Sequence, residues 1–348
     1  MAGVGRAAVP GMSVPSRPFA GGLPDLATLR SAQARAALHA LHTPLVRLAG
    51  VPGEREVWLK LETLQPIGSF KIRGAANALA LAPASELADG VLTASAGNMA
   101  QGVAWVARAL GVACTVVAPD SAPAAKLDAI ARLGAKVITV PFARWWRVLE
   151  ERRFDGVPGW FVHPVSDEHV IAGNAGIGLE VHEALPRAAA ILVPFGGGGL
   201  ACGVAAALRA AGSAVPVFAC EVATAAPLAA SFAAGSPQAV TRVPSFVDGI
   251  GGSAVLAEMW PLARTLLAGS CVVPLAAVAA AVRELAVRAR VVAEGAGACA
   301  FAGASGPTIV TRADGTTGVL PEGPVVCVVS GGNLDPAVLA RLIVGEMP

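Results

Sequence analysis

Lys71 stands in GSFKIRG, residues 68–74, just after a Gly-Ser turn signal and in the first turn of an expected helix. The chain has 26 basic residues, of which only four are lysines: Lys60, Lys71, Lys126 and Lys136. Arginine serves solubility equally well. A lysine kept here points to the property arginine lacks, an amine that can lose its proton and act as a nucleophile. Three loops carry further chemistry. PFGGGGLACG, 194–203, joins an expected strand to an expected helix; four glycines let the N–H groups turn inward and form a phosphate cradle. SAGNMAQG, 95–102, brings Ser95 and Asn98 to a helix N-terminus that suits a carboxylate or a phenolate oxygen. SGGN, 330–333, follows the last expected strand, and the Ser330 hydroxyl can meet a ring nitrogen.

Each loop alone has a plainer reading: a packing turn, an N-cap, and a turn ahead of Asp335. Gly196-x-Gly198-x-x-Ala201 also fits the relaxed dinucleotide fingerprint, with Glu221 at the end of the next expected strand as a ribose-binding acid. NAD would explain that one loop. All three loops, however, fall at the carboxyl ends of expected parallel strands, where open α/β sheets bind ligands. A phosphate, a phenolate oxygen, a ring nitrogen and an aldehyde seeking an amine together describe pyridoxal phosphate.

The elements that must position these groups alternate. Asp25 to Leu41 reads as a helix, and VWLKLE, 57–62, as a strand. Ser69 can cap the helix after it, with Ile72, Ala75, Ala76 and Leu79 on its buried face. Strands are expected at 90–95, 113–118, 136–140, 189–195, 215–221 and 325–330, and helices at 98–110, 123–133, 200–211 and 275–289. Asp335-Pro336 is expected to start a final helix, with no appended regulatory domain expected after it. Alternation of this kind gives α/β architecture, parallel sheets covered by helices. FARWWRVLEERR, 142–153, carries Trp145 and Trp146, which either pack the helix or line an entrance for an aromatic substrate.

The chain is 55% hydrophobic and 14% charged, with net charge +2 over 348 residues. That suits one or two domains with a buried surface or an oligomer interface, and implies no nucleic-acid partner. The six cysteines form no C-x-x-C pair and read as reduced core residues of a cytoplasmic protein. Residues 188–208 are uncharged, but Pro194 and four glycines break the run into strand, loop and helix, not a membrane span. The first 22 residues lack the apolar core of a secretory signal and read as a disordered tail.

GSFKIRGA, SAGNMAQG, VPFGGGGLACG and VVSGGN, in this order, resemble the serine/threonine dehydratase and serine racemase family of fold-type II pyridoxal-phosphate enzymes. The resemblance runs from Thr43 to Asn333. It implies two open, twisted, mostly parallel sheets flanked by helices, with the cofactor in a cleft between domains. The large domain is expected over 23–89 and 168–348, and the small one over 90–167. The resemblance makes Lys71 the Schiff-base lysine and general base, with Phe70 packed on the ring. Asn98 would bind the phenolate, Gly196, Gly197, Gly198, Gly199 and Leu200 the phosphate, and Ser330 the ring nitrogen. Ser95 would be the proton-transfer group opposite the lysine. Ser95, Ala96, Gly97, Asn98 and Met99, with Gln101, would hold the substrate carboxylate. The chain departs from the family at Met99, usually histidine, at Asn174 and at Gly295. Relatives that bind a divalent cation use a glutamate and an aspartate six residues on; here Glu221 is followed by Pro227, so no metal site is expected.

The implied reaction is β-elimination of a β-hydroxy amino acid such as threonine or serine, giving a 2-oxo acid and ammonia, in a homodimer or higher homo-oligomer. The alternative is an amino-acid racemase on the same scaffold; a nucleotide-binding oxidoreductase is the more distant one.

Overall fold

The computed structural model describes residues 18–49, 55–306 and 308–348. Residues 1–17 of the expected tail lie outside the described residues. In chain order the strands are β1 Leu45–Arg47, β2 Val57–Leu61, β3 Val91–Ala94, β4 Cys114–Pro119, β5 Lys136–Val140, β6 Trp160–Phe161, β7 Ala190–Pro194, β8 Val217–Val222, β9 Gly269–Val273, β10 Ile309–Arg312, β11 Thr317–Val319 and β12 Val325–Val329. They form two sheets, β1-β2-β12-β7-β8-β9-β10-β11 and β5-β4-β3-β6. The smaller sheet is wholly parallel. The larger is parallel from β2 to β9 and antiparallel at both edges. Two mostly parallel sheets are what the sequence implies.

The last strand organises the site. VVCVV of β12 is buried at every position, as a strand covered on both faces must be. Lying between β2 and β7, it carries the loop after it against the segment before Lys71. The Phe70 N–H donates to the Ser330 carbonyl at 3.0 Å, and the Gly332 N–H to the Gly68 carbonyl at 2.9 Å.

The lysine helix, Lys71–Leu81, is buried all round from Ile72 to Leu79, not along one stripe. It lies between helices Asn98–Leu110 and Glu168–Ala184. Small residues allow that approach: a Cβ added at Gly74 would sit 2.7 Å from Val170 Cγ1. Arg73 on this helix joins Glu62, Glu180 and Lys60 in a cluster whose members are all under 4% exposed.

Three local expectations change. Ser69 does not cap the lysine helix; it pairs with Gly331 in an isolated bridge, its hydroxyl has no hydrogen-bond partner among the described residues, and Phe70 takes the cap position. The first helix is Leu26–Ala36 and does not reach Leu41. The side chain of Gln65 takes both the N–H (2.8 Å) and the carbonyl (2.9 Å) of Leu41, so that backbone cannot stay helical. The helix expected over 275–289 is α only over Leu275–Glu284, then widens into a π turn ended by left-handed Arg290. No helix among the described residues is long and apolar enough to cross a membrane.

Candidate active site

Every cofactor-, substrate- and proton-handling residue named from the sequence lines one cavity of about 540 Å³. Phe70 and Lys71 enter from the start of the lysine helix. Ser95, Ala96, Gly97, Asn98, Met99 and Gln101 come from the turn after β3, Gly196, Gly197, Gly198, Gly199 and Leu200 from the turn after β7, and Ser330 from the end of β12. Three strand ends from two sheets thus meet the lysine.

The Lys71 amine donates to the Pro164 carbonyl at 2.7 Å and lies 5.2 Å from the Phe70 ring centre. Burial pushes its pKa down to about 8, opposed by the charge of Glu294. The 164–166 turn is held by His163, whose Nδ1 accepts from the N–H groups of Val165 (3.2 Å) and Ser166 (2.8 Å). Burial, then the charges of Arg152 and Lys71, push that imidazole down to about 3, so it is a neutral acceptor, not a proton shuttle.

The glycine loop needs its glycines. Gly198 sits at φ +95° and caps the helix Gly199–Ala210, whose first-turn N–H groups have no intrahelical acceptor. Opposite it, helix Asn98–Leu110 starts at Gly97 without a side-chain cap. Ser95 does not cap that helix; its Oγ accepts from the Gly97 N–H at 3.2 Å.

Two residues that sequence reasoning gave no role complete the site. Asn98 donates to Glu294 Oε1 at 2.8 Å and accepts from Asn333 Nδ2 at 2.7 Å. Asn333 Nδ2 also donates to the Ile67 carbonyl at 2.8 Å. Glu294 is 7% exposed; burial, then the charge of Asp248, push its pKa up to about 7. The signal was a lone acid inside the otherwise uncharged run VVAEGAGACAFAGA, where a charge needs a partner.

Glu221 is not in the cavity. Its carboxylate accepts from the N–H groups of Leu228 and Ala229, both at 2.8 Å, and from Ser270 Oγ at 2.7 Å. Those bonds tie it to the start of helix Pro227–Ala234, away from the cavity where a ribose-binding acid would have to sit. Trp145 lines the outer cavity, whereas Trp146 is 40% exposed and bonds Glu150 at 2.8 Å.

A buried amine with a lowered pKa, a glycine turn at a helix N-terminus and a cavity-lining serine hydroxyl are what a phosphorylated aldehyde cofactor requires. The Ser330 hydroxyl, at the end of a buried strand, lines that cavity where it can meet a ring nitrogen. Residues 36–331 match the family model for pyridoxal-phosphate dependent enzymes, and the chain belongs to that family. Its cofactor is pyridoxal phosphate. More particularly, the chain is 38% identical over 292 residues to an L-threonine ammonia-lyase of Geobacter sulfurreducens, covering 82% of this chain and 68% of the relative. It is 31% identical over 319 residues to a serine racemase of Oryza sativa subsp. indica, covering 90% and 92%. Among solved structures, the processed threonine deaminase isoform 2 of Solanum lycopersicum superposes with a TM-score of 0.78 at 27% identity, over 97% of this chain and 98% of that one.

Proposed function

We propose that this protein is a pyridoxal-phosphate-dependent ammonia-lyase that eliminates water from a β-hydroxy amino acid and releases a 2-oxo acid and ammonia. One observation carries the reading: the Lys71 amine, lowered to about 8, lines the same cavity as the Asn98 helix N-terminus, the glycine turn and Ser330. The threonine ammonia-lyase relatives support it.

When bound, pyridoxal phosphate supplies an aldehyde for amines and an electron sink for the substrate α-carbon. The N–H groups of residues 196–200 would hold its phosphate, Ser330 its ring nitrogen, and Asn98, steadied by Glu294 and Asn333, its phenolate oxygen. Phe70 would pack on the ring. The first-turn N–H groups of the Asn98–Leu110 helix would hold the substrate carboxylate. Lys71 would anchor the cofactor and, as a free neutral amine, take the substrate α-proton. The proton taken by Lys71 would balance the one the β-hydroxyl needs to leave as water, and a second water would then give the α-carbon its oxo oxygen as the amino group leaves as ammonia.

Racemisation is the second reading, favoured by Ser95 in the same cavity and by the serine racemase relatives. The two sheets are taken as two domains, 23–89 with 168–348 and 90–167. Six unpaired buried cysteines support a cytoplasmic setting, and the low charged fraction supports a homodimer or larger homo-oligomer.

The test is a screen of β-hydroxy amino acids for oxo-acid release, with chirality followed in the same samples. Borohydride reduction should fix the cofactor to Lys71, and Lys71→Ala should abolish turnover in a folded protein. Attachment at another lysine, or Lys71→Ala activity within about tenfold of wild type, only about 1.4 kcal/mol of barrier, would sink the proposal. Mainly the opposite enantiomer as product would make the protein a racemase.

A further inference from the structure

We propose that the substrate carries an aromatic side chain, selected by Phe142 and Trp145; the inference rests on the elimination reading above and names the side chain it leaves open. The cavity does not end at the reacting groups. From Lys71 and Ser95 it runs outward past Pro119 and Pro123 to Phe142 and Trp145, all within the same volume of about 540 Å³.

The outer wall is built for a ring. Pro141 caps helix Phe142–Glu151, so Phe142 opens the helix and Trp145 follows one turn later on the same face. Their ring centres lie 5.5 Å apart at 41°, a tilted pair of the kind aromatic rings favour and a third ring can join. Trp145 is packed against the buried cluster of Leu92, Val117, Val140 and Val148, and its indole N–H is enclosed without a hydrogen-bond partner among the described residues. Packing therefore fixes that ring. Phe142, in contrast, is 58% exposed at the mouth, leaving apolar surface that a bound ring would cover.

A distal acid on the substrate is the competing fit, because Lys126 and Arg242 also line the mouth. Lys126, however, is already paired with Asp248, whose own charge would repel an anion there. Arg242 is exposed, and exposed ion pairs contribute little. Ring contact is the larger effect.

Two measurements on the holoenzyme test this. First, binding of L-phenylalanine and L-alanine, neither with a β-hydroxyl to lose, is followed by the cofactor absorbance. Phenylalanine should bind about tenfold more tightly; Phe142→Ala should erase most of that gap and Trp145→Phe should keep most of it. Second, kcat/KM is compared for threo-3-phenylserine, threonine and threo-3-hydroxyaspartate. Phenylserine should lead, and Phe142→Ala should lower the phenylserine-to-threonine ratio about tenfold. Equal binding of the two amino acids, a lead for threonine or hydroxyaspartate, or a ratio unmoved by Phe142→Ala would overturn the proposal. Preferential phenylalanine binding that Phe142→Ala erases, with no elimination from any substrate, would uphold the ring site and overturn the elimination reading instead.

Discussion

Replacing Arg73 by methionine probes how the chain holds its lysine. Arg73 donates to the two oxygens of Glu62, both at 2.8 Å, to those of Glu180 at 2.6 and 2.9 Å, and to the Leu41 carbonyl at 3.0 Å. Glu62 is 0% exposed and Glu180 3%. Methionine keeps an unbranched stem but brings no charge, so the variant leaves two buried carboxylates with Lys60 as the one buried cation beside them among the described residues. Breaking a buried pair from one side costs about 3–5 kcal/mol, because the remaining charge is uncompensated. We expect a loss of about 4 kcal/mol in urea unfolding near pH 8. The pH dependence is the sharper readout. In the wild type, burial would raise the pKa of Glu62, but Arg73 overrides it and holds the carboxyl below its usual range. That contribution is present above the ordinary carboxylate pKa and fades on acidification. In the variant the surplus carboxylate rises above its unfolded value. The folded state then holds the extra proton between the two values, and stability falls as pH climbs through that window. The deficit should therefore be smaller near pH 5 than near pH 8. Adding Glu62→Gln removes the surplus charge and should recover about half of the loss. A loss under about 1 kcal/mol, the range of exposed pairs, or one that ignores pH would refute the reasoning.

The Lys71 amine, pushed down to about 8 by burial, must be neutral to act as base, so kcat should rise with pH through a midpoint near 8; a flat profile across that range would count against Lys71. Glu294→Gln removes the charge that opposes this shift and should move the midpoint lower, which the same titration reads. Ser95→Ala should cut racemisation of an L-substrate far more than its β-elimination, since elimination needs a base on one face only; equal losses by chiral chromatography would contradict that. Pro227 stands where cation-binding relatives carry an acid, which costs a site both a ligand and a charge, so EDTA should change the elimination rate less than about twofold; strong loss restored by magnesium would contradict this.

What the sequence determined by itself was local. Lys71 after a Gly-Ser turn stands where a helix begins, and the four glycines from Gly196 and the polar turns at Ser95 and Ser330 sit where a strand ends. That position depends on periodicity and turn chemistry within a dozen or so residues. The parallel α/β class followed from the alternation alone. The tertiary structure decided which distant groups share a cavity. β12 pairs with β2 in register from Val325 opposite Val57, and only that pairing sets Ser330 beside Phe70. Glu294 reaches Asn98 across 196 residues of chain, and Arg73 reaches Glu180 across 107. Local preference also lost where a long-range bond was stronger: Gln65 ended the first helix before Leu41, and the bridge to Gly331 took Ser69 away from the cap. Glu221, spaced like a ribose-binding acid, instead holds two N–H groups at the start of helix Pro227–Ala234, outside the cavity. A buried polar group takes whichever partner the packing supplies, and that partner is fixed by how distant segments meet rather than by the residues next to it in the chain.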